Sequence, residues 1–347
     1  MLDDTRKWFS DRVGAPVLLE KLRERRVSGL SPTHFVGGVL LMLFLLEVAS
    51  GILLMLPYRP DPQHAHASVV AIAGRLPYGS LVRGVHAWTS HMFVAMLFVQ
   101  IATVLLNRVY REPKELVWWT GLLLLVTGVS MAFTGALLPW SQNAYLQARV
   151  SSEMIGQGPI FGPWLKRMLR GGDDITPWSL GHAYGFHTGV LPALATLLFG
   201  FHMAVVRRSS GGPVEGATVP VYPEFIVRLA AVCTAVLLLI VSLATFVPVA
   251  VGTPVNMAQS MAPAGGGTAP SDVLPPWYFL FLHDLLRAAP PRLLGVESAK
   301  FVLGALSVLA LFAVALPFID RKGSKITAYI GAVLIVVFLV LTGHAIL

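Results

Sequence analysis

Long apolar runs alternate with shorter polar connections along this chain, and the alternation predicts its secondary structure. Seven runs are each about 20 residues or more, enough for a helix to cross a hydrocarbon core of roughly 30 Å. They lie near residues 35–57, 85–106, 116–138, 186–206, 225–251, 298–318 and 326–346. The pattern therefore predicts an all-α integral membrane protein with seven transmembrane helices.

The polar connections divide the predicted helices into two blocks of four and three. A Ser/Gly/Pro-rich stretch after the fourth helix is typical of a flexible linker. The predicted units are a charged N-terminal segment (1–30), a four-helix domain (31–208), the linker (209–223) and a three-helix domain (224–347). Two long loops, 139–180 and 252–297, mix apolar and polar residues, which predicts amphipathic helices on the membrane surface.

Composition supports a membrane protein, and the distribution of charge predicts its orientation. The 347 residues are 55% hydrophobic and 13% charged, which excludes an ordinary soluble domain. The net charge of +8 comes largely from basic residues near the N-terminus and in alternate connections, as the positive-inside rule expects. Arg149, Lys166, Arg167 and Arg170 on the opposite side make this asymmetry imperfect. We expect a cytoplasmic N-terminus, an outer C-terminus and no nucleic-acid binding.

Two glycine pairs share one spacing, and this spacing places each pair on one helix face. Gly37 and Gly51 are fourteen residues apart, as are Gly121 and Gly135. Fourteen residues rise roughly 21 Å and complete close to four turns. Glycines at such positions allow a flat group to lie against the helix backbone.

Histidines on the apolar segments supply the matching metal ligands. His86 lies on one segment, and His187 and His202 lie on another. Imidazole is a common axial ligand of haem iron, so the set predicts haem inside a helical bundle. His91 cannot supply a second ligand on the same helix face as His86, because it lies five residues further, about 7.5 Å along the axis, and is rotated by roughly 140°. The single cysteine, Cys233, excludes a covalent Cys-x-x-Cys-His attachment.

Several short motifs, in order and at matching spacing, carry a family resemblance. They are Gly37/Gly51, Val82–His86, Arg111–Leu116, Gly121/Gly135, Leu138–Gln142, Phe186–Thr188, His202, Pro275–Tyr278 and Pro317–Asp320. The chain resembles the cytochrome b subunit of quinol-oxidising cytochrome bc complexes. In particular, it resembles a fusion of the chloroplast-type four-helix cytochrome b with its three-helix subunit IV.

The resemblance implies two b haems stacked between the second and fourth helices. The outer haem would be ligated by His86 and His187, with Arg83 near a propionate. The inner haem would be ligated by His202, but the position of its partner is occupied by Gln100, a weak ligand. Three interpretations follow for this second haem. It is high-spin, bound by His202 alone or with water or Gln100; it is bound through a rearranged ligand; or it is absent.

The resemblance also implies a quinol-oxidation site in the outer loops. The family motif there is Pro-Glu-Trp-Tyr, and Pro276 stands in place of its proton-accepting glutamate. Trp277 and Tyr278 remain, and Pro139 and Trp140 come from the facing loop. The candidate substitutes for the missing acid are Asp272, His283 and Asp284. Glu47 is a further departure, because the family typically has an amide there.

The implied function is that of a subunit of a respiratory or photosynthetic quinol:cytochrome c (or plastocyanin-like) oxidoreductase. It would carry electrons from quinol through b haem and couple them to proton translocation. The expected partners are a Rieske iron–sulfur protein, a cytochrome c-type subunit and a second copy of the chain, in a bacterial-type inner membrane. Two alternatives remain open: a divergent complex with a non-Rieske acceptor, and a degenerate haem-binding structural subunit.

Overall fold

A computed structural model describes residues 2–13, 15–28, 32–209, 218–256, 273–293 and 295–345. Among these residues, seven helices are long and apolar enough to cross a membrane, which confirms the predicted number. They are α3 (Val36–Met55), α5 (Gly79–Leu106), α6 (Glu115–Leu137), α9 with α10 (Pro177–Gly185 and Leu191–Ser209), α11 (Ile226–Phe246), α13 (Ser298–Ile319) and α14 (Lys325–His344). The chain is a multi-pass membrane protein.

Shorter helices occupy the ends of this bundle. They are α1 (Leu2–Val13), α2 (Ala15–Glu24), α4 (Ala65–Gly74), α7 (Gln142–Gly156), α8 (Gly162–Arg170) and α12 (Trp277–Ala288). Helices α7, α8 and α12 lie in the two long loops, where surface helices are predicted. The sequence did not predict α4. We call the face with α4, α7, α8 and α12 the upper face, and the opposite one the lower face.

Two short strand pairs add to the helices. Strand β1 (Arg26–Ser28) pairs antiparallel with β2 (Thr218–Pro220), and β3 (Arg292–Leu293) pairs with β4 (Val296–Glu297). Strand β2 lies within the predicted linker and pairs with the N-terminal segment through backbone hydrogen bonds. This end of the linker is therefore ordered by the chain that enters α3, while residues 210–217 lie outside the described part.

A break in helical geometry separates α9 from α10. Helix α9 begins at Pro177, after Thr176 and Ser179 cap each other's backbone amides. Residues Phe186–Val190 then form a π-helical turn, closed by the amide of Leu191 on the carbonyl of Phe186. Such turns are frequent at functional sites because they re-aim the side chains they contain. This one contains His187.

The core of the bundle is built where α3, α5, α6, α10 and α11 meet. Three phenylalanines from different helices stack at its centre: Phe44 lies 4.8 Å and Phe93 6.1 Å from Phe199 between ring centroids. In sequence, this aromatic layer falls between His187 and His202 on the fourth span, and just after His86 on α5. It therefore separates an upper histidine level from a lower one.

Candidate functional site

His86 and His187 face each other near the upper end of the bundle. Their ring centroids are 6.1 Å apart, and the ring planes are nearly perpendicular at 87°. Two imidazoles that each place a nitrogen about 2 Å from one metal ion have ring centres about 6 Å apart. The pair is therefore spaced to ligate a single metal from opposite sides.

Glycines give both of these imidazoles their room. A Cβ on Gly135 would lie 2.5 Å from Cε1 of His187, and one on Gly51 would lie 3.3 Å from Cε1 of His86. The first distance is impossible for a real side chain, so alanine at position 135 would displace the ring. The predicted cradle role of these glycines thus has a specific form: each makes space for a histidine across the helix interface.

Hydroxyl side chains hold the other ring nitrogen of each histidine. Ser50 Oγ lies 2.9 Å from Nδ1 of His86, and Thr120 Oγ1 lies 2.7 Å from Nδ1 of His202. Both hydroxyls donate to the carbonyl four residues earlier, so their oxygens accept from Nδ1–H. Nδ1 of His187 donates to the carbonyl of Met131 at 3.0 Å, with Thr134 Oγ1 3.4 Å away.

This arrangement sets the tautomer of all three imidazoles. A proton held on Nδ1 leaves Nε2 bare, which is the form that ligates a metal. The sequence analysis missed the three hydroxyl residues, although a signal exists: Ser50, Thr120 and Thr134 each directly precede a cradle glycine. Gly37 is preceded by Val36 instead.

The lower level keeps only half of this pattern. His202 is buried, and a Cβ on Gly121 would lie 4.0 Å from its Cε1. On the opposite side, no atom of the described residues lies within 4 Å of a Cβ built on Gly37, and Gln100 on α5 is half-buried. Of the four glycine positions, the one at Gly37 is therefore without both a facing imidazole and a preceding hydroxyl residue.

A carboxyl group adjoins the upper pair. Oε2 of Glu47 lies 3.1 Å from Nδ1 of His86, and only 8% of the Glu47 surface is exposed. The other carboxyl oxygen, Oε1, is buried without a hydrogen-bond partner among the described residues. Arg83, predicted beside a propionate, donates from Nη2 to the carbonyl of Val249. His91 has an exposed side chain that lies against Trp88, away from the pair.

Phe279 links the two loop motifs that contain the predicted quinol-site residues. Trp140 is buried with φ +47°, and its carbonyl accepts from the amide of Val255 at 3.3 Å. Trp277 contacts Tyr278 at 5.7 Å between ring centroids, and Phe279 packs against the apolar cluster that contains Trp140. Pro139 directly precedes Trp140. Burial raises the pKa of the Tyr278 hydroxyl, so this group stays protonated.

The candidate proton acceptors have different outcomes. Asp272 lies outside the described residues. His283 is half-buried on α12, and the adjacent Asp284 is buried and paired with His344 of α14. The sequence analysis also missed Tyr145, which is fully buried against Trp140 at 6.4 Å. Its hydroxyl has no hydrogen-bond partner among the described residues, and only its spacing from Trp140 could have pointed to it.

No cluster of three or more histidine, cysteine or carboxylate side chains that could hold a metal ion occurs within the described residues. A bare ion bound only by side chains is therefore not supported there. Two facing imidazoles with bare Nε2 atoms, between helices relieved by glycine, instead suit a metal that brings its own equatorial ligands, as haem does.

Comparisons with known proteins agree with this geometry. A family model described as cytochrome b/b6/petB matches residues 24–210, and one described as cytochrome b(C-terminal)/b6/petD matches residues 263–347. A cytochrome bc complex cytochrome b subunit from Chlorobaculum thiosulfatiphilum is 30% identical over 336 residues, covering 92% of this chain and 74% of that protein. A cytochrome b6 from Heliobacterium modesticaldum is 30% identical over 203 residues, covering 58% of this chain and 95% of that protein.

A solved structure shares the fold across nearly the whole chain. A chain of a hyperthermophilic respiratory Complex III superimposes with a TM-score of 0.82 at 23% identity, covering 98% of this chain and 91% of that one. The match includes both the four-helix and the three-helix portions.

Proposed function

Because the chain belongs to the cytochrome b family of bc-type electron-transfer complexes, we propose that it oxidises a membrane quinol at its upper face and passes electrons through b haem. The observation that carries this proposal is the His86–His187 pair, with rings 6.1 Å apart and glycines behind both. A haem bound there supplies reversible one-electron chemistry, which the chain's side chains lack.

The protein's own contribution at the upper haem is to fix the ligands before binding. Hydrogen bonds from Nδ1 hold His86 on Ser50 and His187 on the Met131 carbonyl. Both rings thus present Nε2 in a set orientation, and little ordering remains when the haem enters. Gly51 and Gly135 keep the helices close enough for this approach.

At the lower level we propose a second haem with one protein ligand, His202. Thr120 holds Nδ1 of this residue as Ser50 holds that of His86. Gln100 and the open space at Gly37 leave the opposite side without an imidazole. A haem held there by one imidazole would be high-spin and would be accessible to small ligands.

The quinol pocket would lie between Pro139–Trp140 and Trp277–Tyr278. Trp140 is fixed by the backbone of the segment around Val255, and the Tyr278 hydroxyl remains a hydrogen-bond donor. Tyr145 adds a second buried hydroxyl with an unused hydrogen-bonding capacity. These groups can orient a quinol ring and exclude water from it.

We further propose the partners and the orientation that the sequence predicts. The acceptor of the first electron would be a Rieske iron–sulfur protein feeding a cytochrome c-type subunit, and the chain would function as a homodimer. The lower face would be cytoplasmic in a bacterial inner membrane. Three of the upper-face basic residues that depart from the positive-inside rule form local ion pairs. Lys166 and Arg170 bind Glu153 at 2.8 and 2.9 Å, and Arg167 binds Asp173.

The direct test is anaerobic addition of a quinol to the purified complex while haem b absorbance is followed. We expect quinol-dependent haem reduction, and a loss of that reduction in Trp140→Ala. Wild-type complex that contains haem but is not reduced by any quinol would contradict the proposal.

A further inference from the structure

Asp284 and His344 form a pair that joins the protein interior to its upper surface. Nδ1 of His344 lies 3.0 Å from each carboxyl oxygen of Asp284. Asp284 is buried, whereas the side chain of His344 is 74% exposed. A proton on the carboxyl group therefore has one short step to a group in contact with the surroundings.

The pair lines a cleft beside the quinol-site motif. The cleft has a volume of about 470 Å³ and is lined by Leu274, His283, Asp284, Arg287, Ala288 and His344, with Ala345 at its edge. This volume falls within the range of small-molecule sites and also accommodates ordered water. Leu274 immediately precedes Pro275 and Pro276, so the cleft borders the position where the family's acid is missing.

Helix α12 connects the cleft with the aromatic side chains of the motif. Asp284 follows Trp277 by seven residues, which is close to two turns and places both on one helix face about 10 Å apart. Helix α12 runs from the bundle interior towards the upper face. Trp277 packs against Phe98 and Phe281 packs against Phe338, whereas Asp284 lies beside the last residue of α14.

We propose that Asp284 accepts a proton released by quinol oxidation and that His344 passes it to the upper aqueous face. This inference rests on the proposed function and assigns the proton route that Pro276 cannot provide.

The transfer balances as follows. Oxidation of the quinol to a quinone breaks two O–H bonds and releases two protons and two electrons. The protons would join the Asp284 carboxylate one after the other, directly or through water, and one electron would leave to haem and one to the iron–sulfur acceptor. Asp284 returns to the carboxylate by giving a proton to Nδ1 of His344 in its Nε2–H tautomer. The imidazolium then loses the Nε2 proton to water, and its exposure lets it exchange back to the starting tautomer.

The other titratable groups lining the cleft do not serve this role equally well. Burial lowers the pKa of His283, and the nearby Arg287 charge lowers it further, so His283 is a weak base. Arg287 stays protonated at neutral pH, so its guanidinium cannot accept a proton. Only Asp284 combines burial on the pocket side with a partner that reaches the surface.

The test measures steady-state quinol:acceptor turnover and its pH profile in the intact complex. Asp284→Asn should lower turnover roughly a hundredfold, as loss of a general base does. His344→Ala should lower it about tenfold, and added imidazole should restore it, because a small soluble base replaces the missing side chain. Asp284→Glu should retain most of the activity.

Asp61→Asn is the matched control, since Asp61 forms another upper-face carboxylate–histidine pair, with His64 at 2.7 Å, but its side chain is 44% exposed. It should leave turnover and pH profile unchanged. If Asp284→Asn loses haem and does not assemble, the result for His344→Ala tests the relay by itself. The His344 side chain is exposed and packs against little of the protein, so we expect this variant to fold. Wild-type turnover in His344→Ala, or a deficit that imidazole does not relieve, would overturn the relay.

The design separates the two levels of inference. If wild-type complex shows no quinol-dependent turnover, the proposed function fails. If wild type turns over and the Asp284 and His344 variants match it, the function stands and the relay is wrong.

Discussion

Gly135 lies closer to a histidine ring than Gly51 does, so its substitution is the sharper test of whether these glycines make room for the haem ligands. Gly135→Ala would place a methyl group 2.5 Å from Cε1 of His187, so the ring must rotate away from its ligating position. We expect most of the upper low-spin haem to be lost, measured as haem b per polypeptide and by EPR. Gly200→Ala is the control, because its Cβ meets nothing within 4 Å. Full haem content in Gly135→Ala would show that the ring is not held there.

Glu47 tests whether a charge adjoins the upper histidine pair. Its carboxyl group lies 3.1 Å from Nδ1 of His86, is only 8% exposed and leaves Oε1 without a partner among the described residues, so burial favours the neutral acid. Glu47→Gln then keeps both the shape and the charge, and we expect the midpoint potential of the haem to stay the same, whereas loss of a negative charge would raise it by roughly 60 mV, a tenfold change for one electron.

A redox titration of haem b in the isolated complex measures this shift. Glu115→Gln, at the start of α6 near the lower face, serves as the distant carboxylate control. A midpoint that rises by roughly 60 mV in Glu47→Gln would show that the carboxyl group is ionised beside the haem.

The residue scale also shows where sequence reasoning succeeds and where it stops. The histidines could be proposed as ligands because ionisable residues are rare in apolar segments, and the glycines because both pairs share a fourteen-residue spacing. Ser50 and Thr120 were missed, because serine and threonine are common in membrane helices and their position directly before a paired glycine becomes meaningful only when the fold shows that they meet an imidazole. The assignment of Arg83 to a propionate rests on the resemblance and stays a prediction; its Nη2 donates to the carbonyl of Val249, and its buried Nε has no hydrogen-bond partner among the described residues.

At the scale of elements, Asp320 ties three helix ends together at the lower face. It accepts hydrogen bonds from Tyr110 after α5, and from Thr327 and the amide of Ser324 at the start of α14. Partial burial alone would raise the pKa of Asp320, but the hydrogen bonds from Thr327, Tyr110 and the backbone outweigh it and hold the pKa below its ordinary value.

The sign of the pH dependence follows from this lowered pKa. The stabilisation is fully present above the unfolded pKa of about 4 and is lost as the pH falls through the lower folded value. Asp320→Asn should cost about 1–2 kcal/mol at pH 7, seen as a lower thermal midpoint in detergent, with the difference from wild type shrinking in acid. Glu297→Gln, an exposed carboxylate beside Lys300, is the control. An equal midpoint at pH 7 would refute the junction's role.

Helix boundaries were predicted less well than helix number. The second membrane helix was expected from residue 85 but begins at Gly79, because its first turns are rich in glycine and polar residues. Those turns are held by packing: Gly84 allows Ala244 of α11 to approach, with 3.0 Å between a built Cβ and that of Ala244. A hydropathy pattern detects segments that are apolar enough to lie in lipid. It therefore does not detect helical turns that are stabilised by close packing against a neighbouring helix.

At the scale of the whole molecule, hydropathy alone gave the seven-helix architecture, since a span of lipid demands about 20 apolar residues. The association of the four-helix and three-helix portions could not be read in this way. It depends on contacts such as Trp118 and Trp119 of α6 donating to the carbonyls of Ala313 and Val314 in α13. The Asp284–His344 pair within the three-helix portion could not be predicted from the sequence either, since 60 residues separate its members.

The measurement that tests the central claim most directly is haem b per polypeptide on the purified protein, by pyridine haemochrome, with an EPR spectrum of the same sample. The account predicts two haems, one low-spin at His86 and His187 and one high-spin at His202. Two haems that are both low-spin would contradict the open lower site, a single low-spin haem would remove the path across the membrane, and no haem would overturn the assignment of the histidine pair.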